Sequence, residues 1–117
     1  MHTLTIIFAS FVALEHLYIM YLETFATSSK TTSRTFSMSE ETLKDKNIST
    51  LFKNQGVYNG LLAVLLGIAL WQQDLLWTRL LLGFIILVAG YGSITSNPKI
   101  ILKQGGLAII ALIFSFL

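Results

Sequence analysis

Glu15 and His16 are the residues whose type and placement first suggest chemistry. They stand side by side near the middle of an apolar run that starts at Thr3, and Glu23 stands near its end. Ionisable side chains are costly at membrane depth, by about 2.5 kcal/mol or more each. They persist there only when they face protein or a wet cavity. A buried carboxyl and imidazole can exchange a proton as acid and base, or carry one across a membrane. A buried pair of this kind can also be purely structural.

A second polar set opens another apolar run: Asn54, Gln55, Tyr58 and Asn59. Asn54 with Tyr58 and Gln55 with Asn59 are one helical turn apart and form two adjacent stripes. Tyr18, Tyr21, Tyr91 and Gln104 lie in or beside apolar runs. Tyr18, Tyr21 and Tyr58 are of a kind more often used in packing than as ligands, and Asn54 and Gln55 suit capping a helix slightly better than contacting a ligand.

These groups sit in a chain of 117 residues that is 54% hydrophobic and 12% charged, with mean hydropathy +0.70. That surface is too apolar for a soluble domain of this size, and the apolar residues come in long runs. The expectation is an all-α membrane protein forming a single domain: a four-transmembrane-helix, up-down-up-down bundle. The spans run from Thr3 to Thr24, Asn54 to Trp71, Leu76 to Ser96 and Ile100 to Leu117. The loop of residues 26–53 is expected to hold a short cytoplasmic interfacial helix, started by Ser37 with Glu40 at capping-box spacing. The first run lacks a basic leader segment and is read as a permanent span.

The loops set the orientation. Lys30, Arg34, Lys44, Lys46 and Lys53 lie between spans one and two, and Lys99 and Lys103 lie at the turn before span four. Arg79 alone marks the other side. This bias places the basic loops in the cytoplasm and both termini outside a bacterial cytoplasmic membrane. Trp71 and Trp77 flank the short Gln72-Gln73-Asp74 connector as an interfacial pair would. Small residues at Gly56, Gly60, Ala63 and Gly67, at Gly83 and Gly90, and at Ala108, Ala111 and Ser115 offer faces for close helix packing.

Counting depth from the cytoplasmic ends brings Glu23, Asn54, Gln55, Tyr58, Asn59, Tyr91 and Gln104 into the inner half, with His16 about 10 Å deeper than Glu23. The expectation is a polar pocket open to the cytoplasm and lined by Glu15, His16, Tyr18, Glu23, Asn54, Gln55, Tyr58, Asn59, Tyr91 and Gln104. It binds a small ligand, with proton-coupled transport as an extension. The alternatives are an intramembrane acid/base enzyme on a lipid-like substrate and a structural or accessory membrane subunit. Catalysis is the less favoured, because no nucleophile or metal set stands out. The chain has no cysteine, no expected cofactor and no metal site, and its net charge of +2 is too scattered for nucleic acid. The expected partners are the lipid bilayer, a small molecule and further copies of the chain in a homo-oligomer.

Glu15-His16-Leu17-Tyr18, Glu23 with Phe25, Phe36, the string Asn54-Gln55-Gly56-Val57-Tyr58-Asn59-Gly60, Ala89-Gly90-Tyr91-Gly92 and Gln104 together resemble the bacterial membrane-protein family called domain of unknown function 1304. The resemblance covers nearly the whole chain, and the Asn-Gln-Gly-x-Tyr-Asn-Gly string is its most specific part. Gly105-Gly106 is a departure, since relatives carry a proline nearby. The resemblance implies a small four-span membrane protein and supplies no activity.

Overall fold

The computed structural model describes residues 1–117, apart from the side chain of Ile100. All regular structure among the described residues is helical. Helix α1 spans Thr3–Met20 and widens at its end into a π turn, Tyr21–Phe25. Helices α2 (Lys30–Phe36) and α3 (Glu40–Lys44) are short. The long helices α4 (Lys46–Trp71) and α5 (Leu75–Thr95) follow, and α6 (Ile100–Phe114) ends the fold.

The helix starts follow local capping chemistry. Ser29 accepts from the Thr32 amide to start α2, and Ser39 accepts from the Thr42 amide to start α3. The expected start at Ser37 is therefore displaced to Ser39. Ser37 has φ 55° and is the left-handed residue that ends α2. In place of one interfacial helix, the loop contains α2, α3 and the polar opening of α4. Asp45 Oδ1 accepts from the amides of Asn47 and Ile48, both at 3.1 Å. That cap sets α4 going at Lys46, about two turns before the expected span starts at Asn54.

Among the described residues, three helical stretches are long and apolar enough to cross a membrane: Thr3–Phe25, Lys46–Trp71 and Leu75–Thr95. The fourth apolar helix is shorter than the expected span, which ran to Leu117. α6 stops at Phe114 after 15 residues, about 22 Å at the helical rise.

The chain divides into two compact units, with both boundaries inside helices. One is Met1–Glu15 with Ala63–Leu117, and the other is His16–Leu62. In the first unit α5 and α6 pack antiparallel. At one end Arg79 donates through Nη2 to the Ser115 carbonyl (2.6 Å) and through Nε to Ser115 Oγ (3.2 Å), and its guanidinium lies 3.9 Å from the Phe116 ring centroid. At the other end the Ile101 amide donates to Ser93 Oγ at 2.7 Å. Leu82, Ile85 and Ala89 are buried on α5, and Ala108 and Ala111 on α6. A Cβ on Gly105 would stand 3.3 Å from that of Ala89, so the helices nearly touch there, whereas nothing lies within 4 Å of such an atom on Gly83 or Gly90. His2 and Phe8 stack on Phe114, with ring centroids 6.3 and 5.4 Å apart.

In the second unit the end of α1 and the start of α4 run antiparallel. Leu22 and Leu43 are fully enclosed, and Phe36 meets Phe52 edge to face at 5.3 Å. Gly56 and Gly60 bring the α4 backbone against the chain at Thr24 and Met20, while Gly67, expected in the same stripe, has open space beside it.

Candidate functional site

The polar centre of the second unit is Glu23, which has 0% exposure. Asn59 Nδ2 donates to its Oε1 at 2.6 Å and Gln55 Nε2 donates to its Oε2 at 2.5 Å. One turn of α4 separates the two amides, so a single helix face grips both oxygens of one carboxylate. Gly56 makes the grip close. A Cβ at that position would overlap Thr24 Oγ1 and come within 3.0 Å of Glu23 Cβ and of the Thr24 amide nitrogen.

The π turn places Glu23 there. Its wider winding sets the Ala26 amide to donate to the Tyr21 carbonyl at 3.0 Å, a geometry frequent at functional sites. A helix end leaves carbonyls without intrahelical donors, and buried threonines fill that need. Thr27 Oγ1 donates to the Glu23 carbonyl at 2.8 Å. Thr32 Oγ1 reaches the Leu22 carbonyl at 3.2 Å and the Ala26 carbonyl at 2.7 Å. Thr24 Oγ1 donates across to the Lys53 carbonyl at 3.1 Å. Sequence reasoning did not single out these threonines. Their density between Thr24 and Thr35 was the available signal.

The structure brings together three of the ten expected residues: Glu23, Gln55 and Asn59. His16 is also buried in this unit, at 4% exposure. Tyr18 is 53% exposed and Tyr58 is 77% exposed, so the inward placement expected of them is corrected. Asn54 and Tyr58 line an open groove of about 510 Å³ with Val57 and Leu61. That groove belongs to the stripe of α4 beside the one that holds Glu23. In the first unit, Tyr91 is 70% exposed. Gln104 is half-buried. Glu15, also in the first unit, is half-buried, and its Oε1 is enclosed without a hydrogen-bond partner. Among the described residues, no cluster of His, Cys, Asp and Glu is suited to holding a metal ion.

An all-helical chain with three potential membrane-crossing helices, and one carboxylate gripped by two carboxamides inside it, defines the class. The chain belongs to the family described as "Protein of unknown function (DUF1304)", which matches residues 10–116. A relative from Lactococcus lactis subsp. lactis (strain IL1403), "Uncharacterized protein YpaA", is 63% identical over 118 residues, with 99% of each chain covered. No solved structure matches.

Proposed function

We propose that this is a multi-pass protein of the bacterial cytoplasmic membrane that binds a small ligand at the Glu23–Gln55–Asn59 cluster, reached from the cytoplasm. Membrane residence is supported by large apolar side chains left uncovered along all the long helices. Leu14 is 60% exposed, Leu65 54% and Leu87 76%, and apolar surface on that scale needs a lipid or protein cover. The basic loop before α4 and the bases Lys99 and Lys103 face the cytoplasm, and both termini lie outside, with α6 as a short fourth span. Trp71 and Trp77 are exposed at the connector, where an outer aromatic belt would lie.

The observation that carries ligand binding is the fully enclosed Glu23 held only through neutral amides. A carboxylate taken from water and matched with uncharged partners is an expensive arrangement, retained where the group has a task. The test is native mass spectrometry of protein purified in mild detergent. A copurifying small molecule should be present in the wild type and lost in Glu23→Gln, which keeps the side chain's shape. Transport coupled to a proton extends this reading, with His16 deeper along the same helix as the relay.

A second reading is favoured by both Glu23 oxygens already having an internal donor. The cluster then fixes the register of α1 against α4 in a structural or accessory subunit, a role attested for buried polar groups. In that case Glu23→Gln and Asn59→Leu lower stability, and the mass spectrum is the same for wild type and variants.

A further inference from the structure

Three features make the Glu23 cluster a site with a fixed wall and a movable side. The wall is backbone. Gly56 sets α4 so close to the Thr24 amide nitrogen and Glu23 Cβ that neither side can give there without separating helices, and Gly60 packs against the Met20 side chain. Threonine hydroxyls hold the π turn that carries Glu23. The movable side is Gln55. Its side chain is exposed, Asn59 is half-buried and Glu23 is enclosed, so the Gln55 amide is the outermost of the three. A glutamine in that position changes rotamer at little cost, and turning it away uncovers Glu23 Oε2.

What enters must do better than the carboxamide it displaces. A neutral N–H donor would exchange one neutral-donor bond to the carboxylate for another of the same kind. A cationic N–H donor keeps the hydrogen bond, adds the attraction of opposite charges and neutralises a buried charge. Each carboxylate oxygen has a second lone pair to offer. A metal ion fits less well, because Asn59 already presents its N–H to Oε1, and its half-buried amide would have to turn to offer oxygen. An ammonium leaves Asn59 as it is. The space released is that of one carboxamide, which fits a primary ammonium with a small substituent. The loop bases Lys30, Arg34, Lys44, Lys46 and Lys53 are all exposed, so salt screens their repulsion.

We propose that Glu23, Gln55 and Asn59 form a binding site for a small primary ammonium ion, with the Gln55 side chain as its displaceable cover. This rests on the ligand-binding reading above and names the ligand's class. Radiolabelled methylammonium tests it on the full chain in lipid nanodiscs. The wild type should bind it saturably, with ammonium competing and neutral acetamide failing to compete. Glu23→Gln should weaken binding at least tenfold. Gln55→Ala should keep saturable binding and speed both association and release, which also guards against a Glu23 variant that fails to fold. Equal binding by wild type and Glu23→Gln, or competition by acetamide as strong as by ammonium, overturns the proposal. Absence of methylammonium binding overturns the ammonium class while a copurifying molecule lost in Glu23→Gln keeps the ligand site. Absence of both removes both.

Discussion

Replacing Gly56 with alanine adds one methyl group at the tightest point of the α1–α4 contact. The new Cβ would overlap Thr24 Oγ1 and stand 3.0 Å from both Glu23 Cβ and the Thr24 amide nitrogen. Rotating Thr24 relieves the first clash and loses its hydrogen bond to Lys53, which costs about 1 kcal/mol. The other two atoms belong to backbone or to its first carbon, so the helices must part, at a further cost of about 1–3 kcal/mol for overpacking. Alanine's better helix propensity returns about 1 kcal/mol. The net expectation is a loss of about 2 kcal/mol, or roughly 30-fold in the unfolding equilibrium. Gly67→Ala is the internal control. It is the same substitution in the same helix with nothing within 4 Å of the new atom, so only the propensity gain of about 0.5–1 kcal/mol remains. Gly60→Ala falls between, because it meets Met20 at its flexible Sδ and Cγ. Unfolding in mild micelles with rising dodecyl sulfate, followed by the fluorescence of Trp71 and Trp77, ranks the three. A Gly56→Ala midpoint at or above that of Gly67→Ala would refute the close approach.

Other substitutions separate the remaining contacts. Thr32→Val removes the hydroxyl that reaches the Leu22 and Ala26 carbonyls, and should lower stability by about 1–2 kcal/mol with little change in volume. Ser39→Ala should cost about 1 kcal/mol in the same unfolding assay. Ser37→Gly should be neutral or stabilising, because its φ of 55° suits glycine; the reverse order would restore Ser37 as the start of α3. Arg79→Ala should loosen the end of α6, read as faster hydrogen exchange at residues 112–117, since Ser115 loses both donors. Cysteine labelling from outside intact cells should reach a residue introduced at Gln73 and miss one introduced at Thr35 if the basic loop has the proposed cytoplasmic placement; the reverse pattern would overturn that placement.

Much of the helical layout was legible because hydropathy runs and polar punctuation coincide at Gln72-Gln73-Asp74 and at Asn97-Pro98-Lys99. They diverge before α4. Its hydropathy changes at Asn54, but its backbone starts where Asp45 can cap it. For the same reason Ser39 was overlooked in favour of Ser37, since spacing shows which caps are available and not which residue turns left-handed. Glu23, Gln55 and Asn59 were all legible as candidates by type and depth. Their mutual pairing was not, because the π turn that aims Glu23 has no marker in residue types. Depth alone gave Glu15 and His16 more weight than Glu23. Tyr58 was drawn into the pocket by its level along the helix, which does not fix the direction a residue faces. The Arg79–Ser115 contact joins residues far apart in sequence, and charge counting saw only an isolated base.

A double-mutant cycle between Glu23 and Asn59 bears most directly on the buried grip. Glu23→Leu, Asn59→Leu and the combined variant are unfolded under identical conditions, and the free-energy changes are compared. Direct bonding between the two side chains requires a coupling of at least about 1 kcal/mol, the double variant losing less than the singles combined. Additive losses, agreeing within about 0.5 kcal/mol, would mean that the two side chains do not meet and would leave the site without its centre.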